Sequence, residues 1–322
     1  MHMSGHYSLG LLFDAAQQER RCARPRTDTD IRAVARRVKK NEIVRVYRGL
    51  YAVRTYWDQL DQHERTRHIV RSLALWHPQW VFCGPTAAVM HGLECSYRLS
   101  LPICIVSRTR SHGRNSAGLA HYVIPHPETS RCGSVPVTSV GRTLVDCAAK
   151  LPLRYALGPI DSALRLQRIT RDELHMHLAA APYLTGRHKA EYAFSVADGR
   201  SENGGESEGR GVLAELGFPV HDIQVEFPCL SNAYRCHRVD YWWRRADGTV
   251  VVGELDGVRK YVDPSMTSGR DIRNVVDDER DRQRCLERQG ADVLRFYYSD
   301  LNDLGALAYK LRRYRVPERG GA

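Results

Sequence analysis

The sequence predicts a multidomain α/β protein. Three observations carry that expectation. Helical and strand-like periodicities alternate along the chain, and 322 residues allow two or three domains at about 100–200 residues each. The polar, Gly-rich stretch "ADGRSENGGESEGRG" at 197–211 reads as a boundary. A hydrophobic content of 43% is enough for real cores. The expected division is a first domain over 1–56, a second over 57–196 and a third over 197–322.

In the first segment, Ile31, Val34, Ala35 and Val38 recur at i, i+3, i+4 and i+7, the spacing of one helical face. Thr27 to Asp30 suit that helix's N-terminus, and Arg32, Arg36, Arg37, Lys39 and Lys40 fall on its opposite face. A β-like run from Ile43 to Tyr47 follows, then a turn on Gly49 and a second short apolar run. A helix followed by a basic hairpin is the outline of a winged helix, whose helix enters the major groove while the hairpin touches phosphate. The plainer alternative is a solvated basic helix on an ordinary domain.

The second segment reads as mixed α/β. "DQLDQHERTRHIVRSLALWH" places Ile69, Leu73 and Trp76 at helical spacing, and "TAAVMHGL" is a short helix ending at Gly92. "LPICIVS" and "AHYVIP" are strand-like. "PVTSVGRTLVDCAAKLP" reads as a strand, an N-cap at Thr138 or Ser139, and a helix with Leu144, Val145, Ala148 and Leu151 inward. "RYALGPIDSALRLQRIT" adds a further helix. No nucleophile, base and orienter stand out by spacing.

The third segment opens with a helix to about Leu216. Strands follow in "DIQVEF", "HRVDYWW" and, after a turn at Asp247-Gly248, "VVVGELD". A basic helix ending near Gly290, the strand "DVLRFYY" and a last helix complete an αβββαβα order, which predicts a mixed sheet covered by helices.

Three acids in this segment stand in or beside apolar strands. Side chains alternate along a strand, so Glu254 and Asp256 leave on one face, and Asp240 lies on the neighbouring strand within cross-strand reach. Ionised carboxylates in such places need pairing or a metal. Three converging oxygens suit a hard divalent ion, Mg²⁺ or Mn²⁺, beside a phosphodiester. Gly257 permits a sharp exit from the strand, and Arg259 and Lys260 place positive charge next to the acids. Glu206 opens the leading helix and is a fourth candidate, although Gly209 and Gly211 weaken that helix by ~1 kcal/mol each relative to Ala. Arg273, Arg280 and Arg284 share roughly one helical face suited to backbone phosphates. The plainer readings are that Asp240 pairs with Arg238 or Arg244, that Glu254 and Asp256 are hairpin-end charges, and that the arginines solvate a helix.

Charge is unevenly spread. Residues 1–200 carry 29 Lys+Arg against 16 Asp+Glu, while 201–322 carry 19 against 21, within a net +11. A basic front favours a polyanion, nucleic acid before membrane. No apolar run approaches the ~20 residues of a membrane helix, and "YSLGLLF" lacks a basic leader and a cleavage site, so a cytoplasmic protein is expected. Nine cysteines without a CxxC pair argue for reduced thiols. Cys229, Cys236 and His237, with His221 nearby, are soft ligands, but their spacing fits no regular zinc pattern. The histidines of "HMH", His175 to His177, do not face one another on a helix.

Two resemblances rest on these residues. "GESEGRGVLAELGFPVHDIQ", "HRVDYWW", "VVVGELDGVRKY" and "DDERDRQRCLERQGADVLRF" resemble, in order, the Vsr-like branch of the PD-(D/E)XK endonuclease superfamily. The likeness implies a restriction-endonuclease-like αβββαβ core, magnesium dependence and a DNA substrate. By it, Asp240 matches the first acidic ligand, Glu254 the second and Glu206 the acid of the leading helix. Asp256 stands where a Lys is usual, which leaves that role to Arg259 or Lys260. "IRAVARRVKKNEIVRVYRGLYAV", "CGPTAAVMHGL" and "PVTSVGRTLVDCAA" are similar to AbiEi-type antitoxins of type IV toxin–antitoxin systems. That likeness implies a winged helix followed by an α/β antitoxin domain, with Arg32, Arg36 and Lys40 on the recognition helix, Arg48 at the wing, and a repressor role. "QQERRCARPR" departs from the pattern as the link into the recognition helix.

The expected function is therefore a protein that binds double-stranded DNA and hydrolyses its phosphodiester bonds with Mg²⁺ or Mn²⁺ held by Asp240, Glu254 and Asp256. The alternative is an antitoxin-like repressor, with a cognate toxin as a further partner, whose nuclease-type domain is inactive or only grips DNA. A pure interaction scaffold would leave the acids without purpose.

Overall fold

The structure, a computed structural model, describes residues 7–108, 115–116, 118–181, 184–232, 234–256 and 272–320, the side chains of residues 7 and 272–278 excepted. It is a mixed α/β chain whose packing divides into two compact units. Met1–Cys147 with Asp172–Leu184 form the first, and Ala148–Arg171 with Thr185–Ala322 form the second.

In the first unit, helices α1 (Tyr7–Gln18) and α2 (Asp28–Lys39) lie against the antiparallel hairpin of β1 (Ile43–Tyr47) and β2 (Leu50–Val53). Leu9, Phe13, Ala33, Val34 and Ile43 form their common core. Thr27 caps α2 by accepting a hydrogen bond from the Asp30 N–H at 3.1 Å. The buried face of α2 is not the one its apolar residues mark: Ile31 is 47% and Val38 36% exposed. The packed face is Asp30, Ala33, Val34 and Arg37, the same spacing shifted by one residue. Half its members are polar, which hides it from a hydrophobic pattern. Arg37 is tucked in beside Glu42, 3.9 Å away.

Two helices, α3 (Arg54–Gln59) and α4 (Gln62–Trp76), lead to α5 (Gly84–Met90). The parallel pair β3 (Ile103–Ser107) and β4 (Leu119–Val123) and the antiparallel pair β5 (Thr129–Cys132) and β6 (Val135–Thr138) come next, with Phe82 bridging Ile105 and Val137 between them. Leu50, Ala52 and Trp57 share one core with Val70, Phe82 and Val137, so packing runs straight across the boundary expected at position 56. α6 (Val140–Lys150) starts at Ser139, whose hydroxyl accepts from the Arg142 N–H at 3.2 Å. The chain then departs through α7 (Leu153–Arg165) and returns as α8 (Arg171–Ala179).

The second unit combines α7 with α9 (Arg187–Val196), α10 (Gly204–Glu215), β7 (Asp222–Pro228), β8 (Cys236–Arg244), β9 (Val250–Asp256), α11 (Ile272–Arg288), β10 (Ala291–Tyr297) and α12 (Leu304–Arg313). Strand order is β10-β9-β8-β7, with β10 parallel to β9 and the other pairs antiparallel. One sheet face buries Ile223, Tyr241, Trp243, Leu294 and Phe296 under Val212 and Leu213 of α10 and Leu307 and Leu311 of α12. The other buries Val239, Val252 and Val293 under Leu286 of α11. The polar tips of the large aromatics are satisfied: Tyr241 Oη donates to the Glu206 carbonyl at 2.8 Å and Trp243 Nε1 to the Pro219 carbonyl at 3.1 Å.

The Gly-rich stretch is therefore not a linker. From Glu206 to Leu213 it is buried helix, and α7 and α9, expected in the domain before it, pack in the same unit. Its glycines permit close approach: a Cβ on Gly211 would sit 2.4 Å from the Arg154 Cα, and one on Gly209 2.5 Å from Tyr241 Oη. A buried ion pair reinforces the contact. Arg210 of α10 pairs with Asp161 of α7, whose other oxygen accepts from the Asp198 N–H at 2.7 Å.

Helix propensity alone would make Gly→Ala stabilising by up to ~1 kcal/mol. Gly211→Ala is expected instead to destabilise by about 1–3 kcal/mol, because backbone rather than a flexible side chain must move. Gly10→Ala in α1, which meets nothing within 4 Å, is expected to keep the favourable sign. Urea midpoints of the two variants make the comparison.

Candidate functional site

The site lies where β8 and β9 part. Their ladder runs from Arg244–Val250 to Tyr241–Gly253 and stops there. Asp240 Oδ2 then accepts the Leu255 N–H at 2.9 Å, a side-chain oxygen standing in for the missing strand carbonyl. Leu255 packs toward Tyr241, so by alternation Glu254 and Asp256 leave on the opposite face. Glu254 is 5% and Asp256 3% exposed, and Asp240 is half-buried.

Two arginines from separate elements answer these charges. Arg282 of α11 donates to Glu254 Oε1 at 2.6 Å and to the Arg238 carbonyl. Arg295, opposite Glu254 in the β9–β10 register, lies 3.4 Å from Asp256 Oδ2 and 3.2 Å from Glu279 Oε2. Among the described residues, these two guanidiniums stand beside Asp240, Glu254, Asp256 and Glu279. Burial pushes the Glu254 carboxyl up to about 7; Arg282 and Arg295 work against that shift, while Asp240 and Asp256 reinforce it. The all-oxygen donors fit a hard divalent cation.

Glu206 is held at the start of α10. Its carboxylate accepts from the Glu202 N–H at 2.7 Å, Asn203 Nδ2 at 2.6 Å and Gln224 Nε2 at 3.0 Å, while Asn203 caps its own N–H. These contacts make it the closing residue of the α10 N-terminus. Arg259 and Lys260 lie outside the described residues, as does the Arg273 side chain. Arg280 and Arg284 are exposed, and Arg284 lies 3.6 Å from Asp281. At 100° per residue both point roughly 200° away from Arg282, so the face expected to meet backbone phosphates is distinct from the one that carries Arg282 to Glu254.

In the first unit Arg32, Arg36, Lys40 and Arg48 are all exposed, the first two on α2, Lys40 at its C-cap and Arg48 in the β1–β2 turn. Arg45 on β1 is exposed as well. Ile31, Ala35 and Val38 lie bare among the basic residues of α2.

Sequence reasoning missed Arg282, Arg295, Glu279 and Gln224. For two of them a signal existed: phasing α11 on the apolar Leu286 places Arg282 at i−4 and Glu279 at i−7, on the sheet side. Arg295 required the strand register, and Gln224 an irregularity in β7.

Among curated proteins the chain is similar to the uncharacterized protein Rv2248 of Mycobacterium tuberculosis strain H37Rv. They are 26% identical over 206 residues, covering 64% of this chain and 72% of the relative. The uncharacterized protein MT2308 of strain CDC 1551 matches with the same identity and coverage. No family model matches, and no solved structure matches significantly.

Glu254 gives a pH signature. Its carboxyl is raised in the fold from 4.5 to about 7, so the folded state holds a proton that the unfolded chain has lost within that window. That contribution is complete below pH 4.5 and is lost as pH rises through 7. Relative to Glu254→Gln, the parent is expected to lose about 3 kcal/mol between pH 4.5 and 8, read from urea unfolding at several pH values.

Proposed function

We propose that this chain is a DNA-binding protein whose second unit is a metal-dependent, endonuclease-like domain. The observation that carries the proposal is the acidic set at the fork of β8 and β9, with Glu254 and Asp256 buried on one strand face and Asp240 half-buried on the neighbouring strand. Support comes from the αβββαβ order of α10 to β10 and from the Vsr-like motifs that fall on it. Mg²⁺ or Mn²⁺ held by Asp240, Glu254 and Asp256 would supply Lewis acidity toward a phosphodiester. Arg282 keeps Glu254 in place, and Lys260 with Arg259 serves the phosphate. In the first unit, α2 with the β1–β2 hairpin acts as a winged helix. Arg32, Arg36, Lys40, Arg45 and Arg48 meet phosphate and base edges, and Ile31 and Val38 supply apolar contact of the kind thymine methyls accept.

One observation favours a second reading. Arg282 already bonds Glu254 and Arg295 already faces Asp256, so the acids have partners without an ion. In that case the protein is an antitoxin-like repressor, with a cognate toxin as a further partner, and the second unit only grips DNA.

Supercoiled plasmid with Mg²⁺ or Mn²⁺ separates the two. Nicking by the parent, reduced at least ~100-fold in Glu254→Ala, is the expected result. Retardation without nicking by either protein leaves the repressor. In both cases Arg32→Ala/Arg36→Ala is expected to weaken DNA binding and to flatten the slope of log affinity against log salt by about 2. An unchanged slope would remove α2 from the interface.

A further inference from the structure

A second cluster lies apart from the acids. Cys229 just past β7, His237 of β8 and Cys285 of α11 bring two sulfurs and one ring nitrogen within 4.8 Å of one another. The β7–β8 register creates the first half of the cluster, setting Phe227 opposite His237 and Pro228 opposite Cys236 and so carrying Cys229 alongside. Leu286, seated on Val239 and Val252, brings the adjacent Cys285 over the same end of the sheet. Cys285 is buried, while Cys229, at 9% exposure, and His237 are partly exposed.

The polar atoms around the cluster are arranged for a ligand. His237 Nε2 is buried and has no hydrogen-bond partner, an unusual state for a polar atom. The Leu230 N–H points at Cys285 Sγ at 3.2 Å, and Ser231 Oγ lies 3.2 Å from Cys229 Sγ. Contacts from Ser231 lower the Cys229 thiol from its ordinary value, and burial with the nearby Arg282 and Arg235 lowers His237. Thiolate and neutral imidazole are the forms a metal binds.

We propose that Cys229, His237 and Cys285 form a binding site for a soft or borderline divalent metal, zinc foremost. Zn–S bonds of about 2.3 Å set tetrahedral ligands about 3.8 Å apart, so the three side chains need only a small inward turn. Cys236 precedes His237 on the strand and leaves on the opposite face, which gives the fourth position to solvent. Binding sends the thiol protons to solvent, and affinity rises with pH. The ion ties the β7–β8 end of the sheet to α11 one turn from Arg282, the residue that holds Glu254. The site stands independently of the nuclease reading, because none of its ligands belongs to the acidic set.

The full chain, purified reduced and without chelator, is expected to retain about one equivalent of zinc. Replacement by Co²⁺ should give visible bands of a tetrahedral ion together with thiolate-to-cobalt charge transfer. Cys285→Ser and His237→Gln should each lose at least ~10-fold in affinity, while Cys236→Ser and Glu254→Gln keep the bands. Zinc should also slow alkylation of Cys229 and Cys285 in the parent, but not of exposed Cys236; this arm needs no variant to fold. Absent cobalt bands, alkylation indifferent to zinc, or a Cys229–Cys285 disulfide in the freshly purified, metal-free chain would overturn the proposal.

Discussion

Holding three carboxyl groups together at the end of a strand is the constraint on which the second unit turns. Each acid out of water is unfavourable by several kcal/mol unless it is paired and hydrogen-bonded. The chain meets this with two arginines that no single element could supply. Arg282 reaches Glu254 from α11, and Arg295 reaches Asp256 from β10. Guanidinium suits the task because it stays charged when buried and can bond two acceptors at once, as Arg282 does with Glu254 and the Arg238 carbonyl. The crossover helix and the parallel strand it delivers thus carry charge compensation as well as apolar cover.

The fork itself comes from a local break in strand alternation. Ile223 and Tyr241 pack on the α10 face, whereas Val225 and Val239, two residues on, pack on the α11 face. The change falls at Gln224, which has φ +54°, directly between the paired positions. A non-glycine residue in that region is unfavourable by of order 1–3 kcal/mol and persists only where its surroundings hold it. Here Gln224 Nε2 is held by Glu206, itself fastened to the α10 N-terminus. The cap of one helix, a strained residue in β7 and the orientation of Asp240 are therefore one connected device. Glu206 acts in it through Gln224.

The first unit shows the opposite economy. Arg32, Arg36, Lys40, Arg45 and Arg48 are exposed, and Ile31, Ala35 and Val38 of the apolar stripe of α2 are turned outward while a half-polar face packs inward. Leaving Ile31 and Val38 in water forgoes burial that a purely structural helix would use. A surface made of bare aliphatics among arginines suits a partner that is both anionic and grooved.

Sequence by itself determined the order of elements in the third segment, several of the helices and strands before it, the basic bias of the front, and the placing of Glu254 and Asp256 on one strand face, because these follow from local periodicity and charge. It misjudged the Gly-rich stretch, since composition marks flexibility and close helix packing with the same residue, and it chose the wrong face of α2, since Asp30 and Arg37 are polar by type but turned inward by packing. Only the tertiary structure decided which arginines meet the acids, that Glu206 closes a helix, and that Cys285 joins Cys229 and His237. Each of those depends on strand register or helix rotation between residues far apart in the chain, and neither is written in any local pattern.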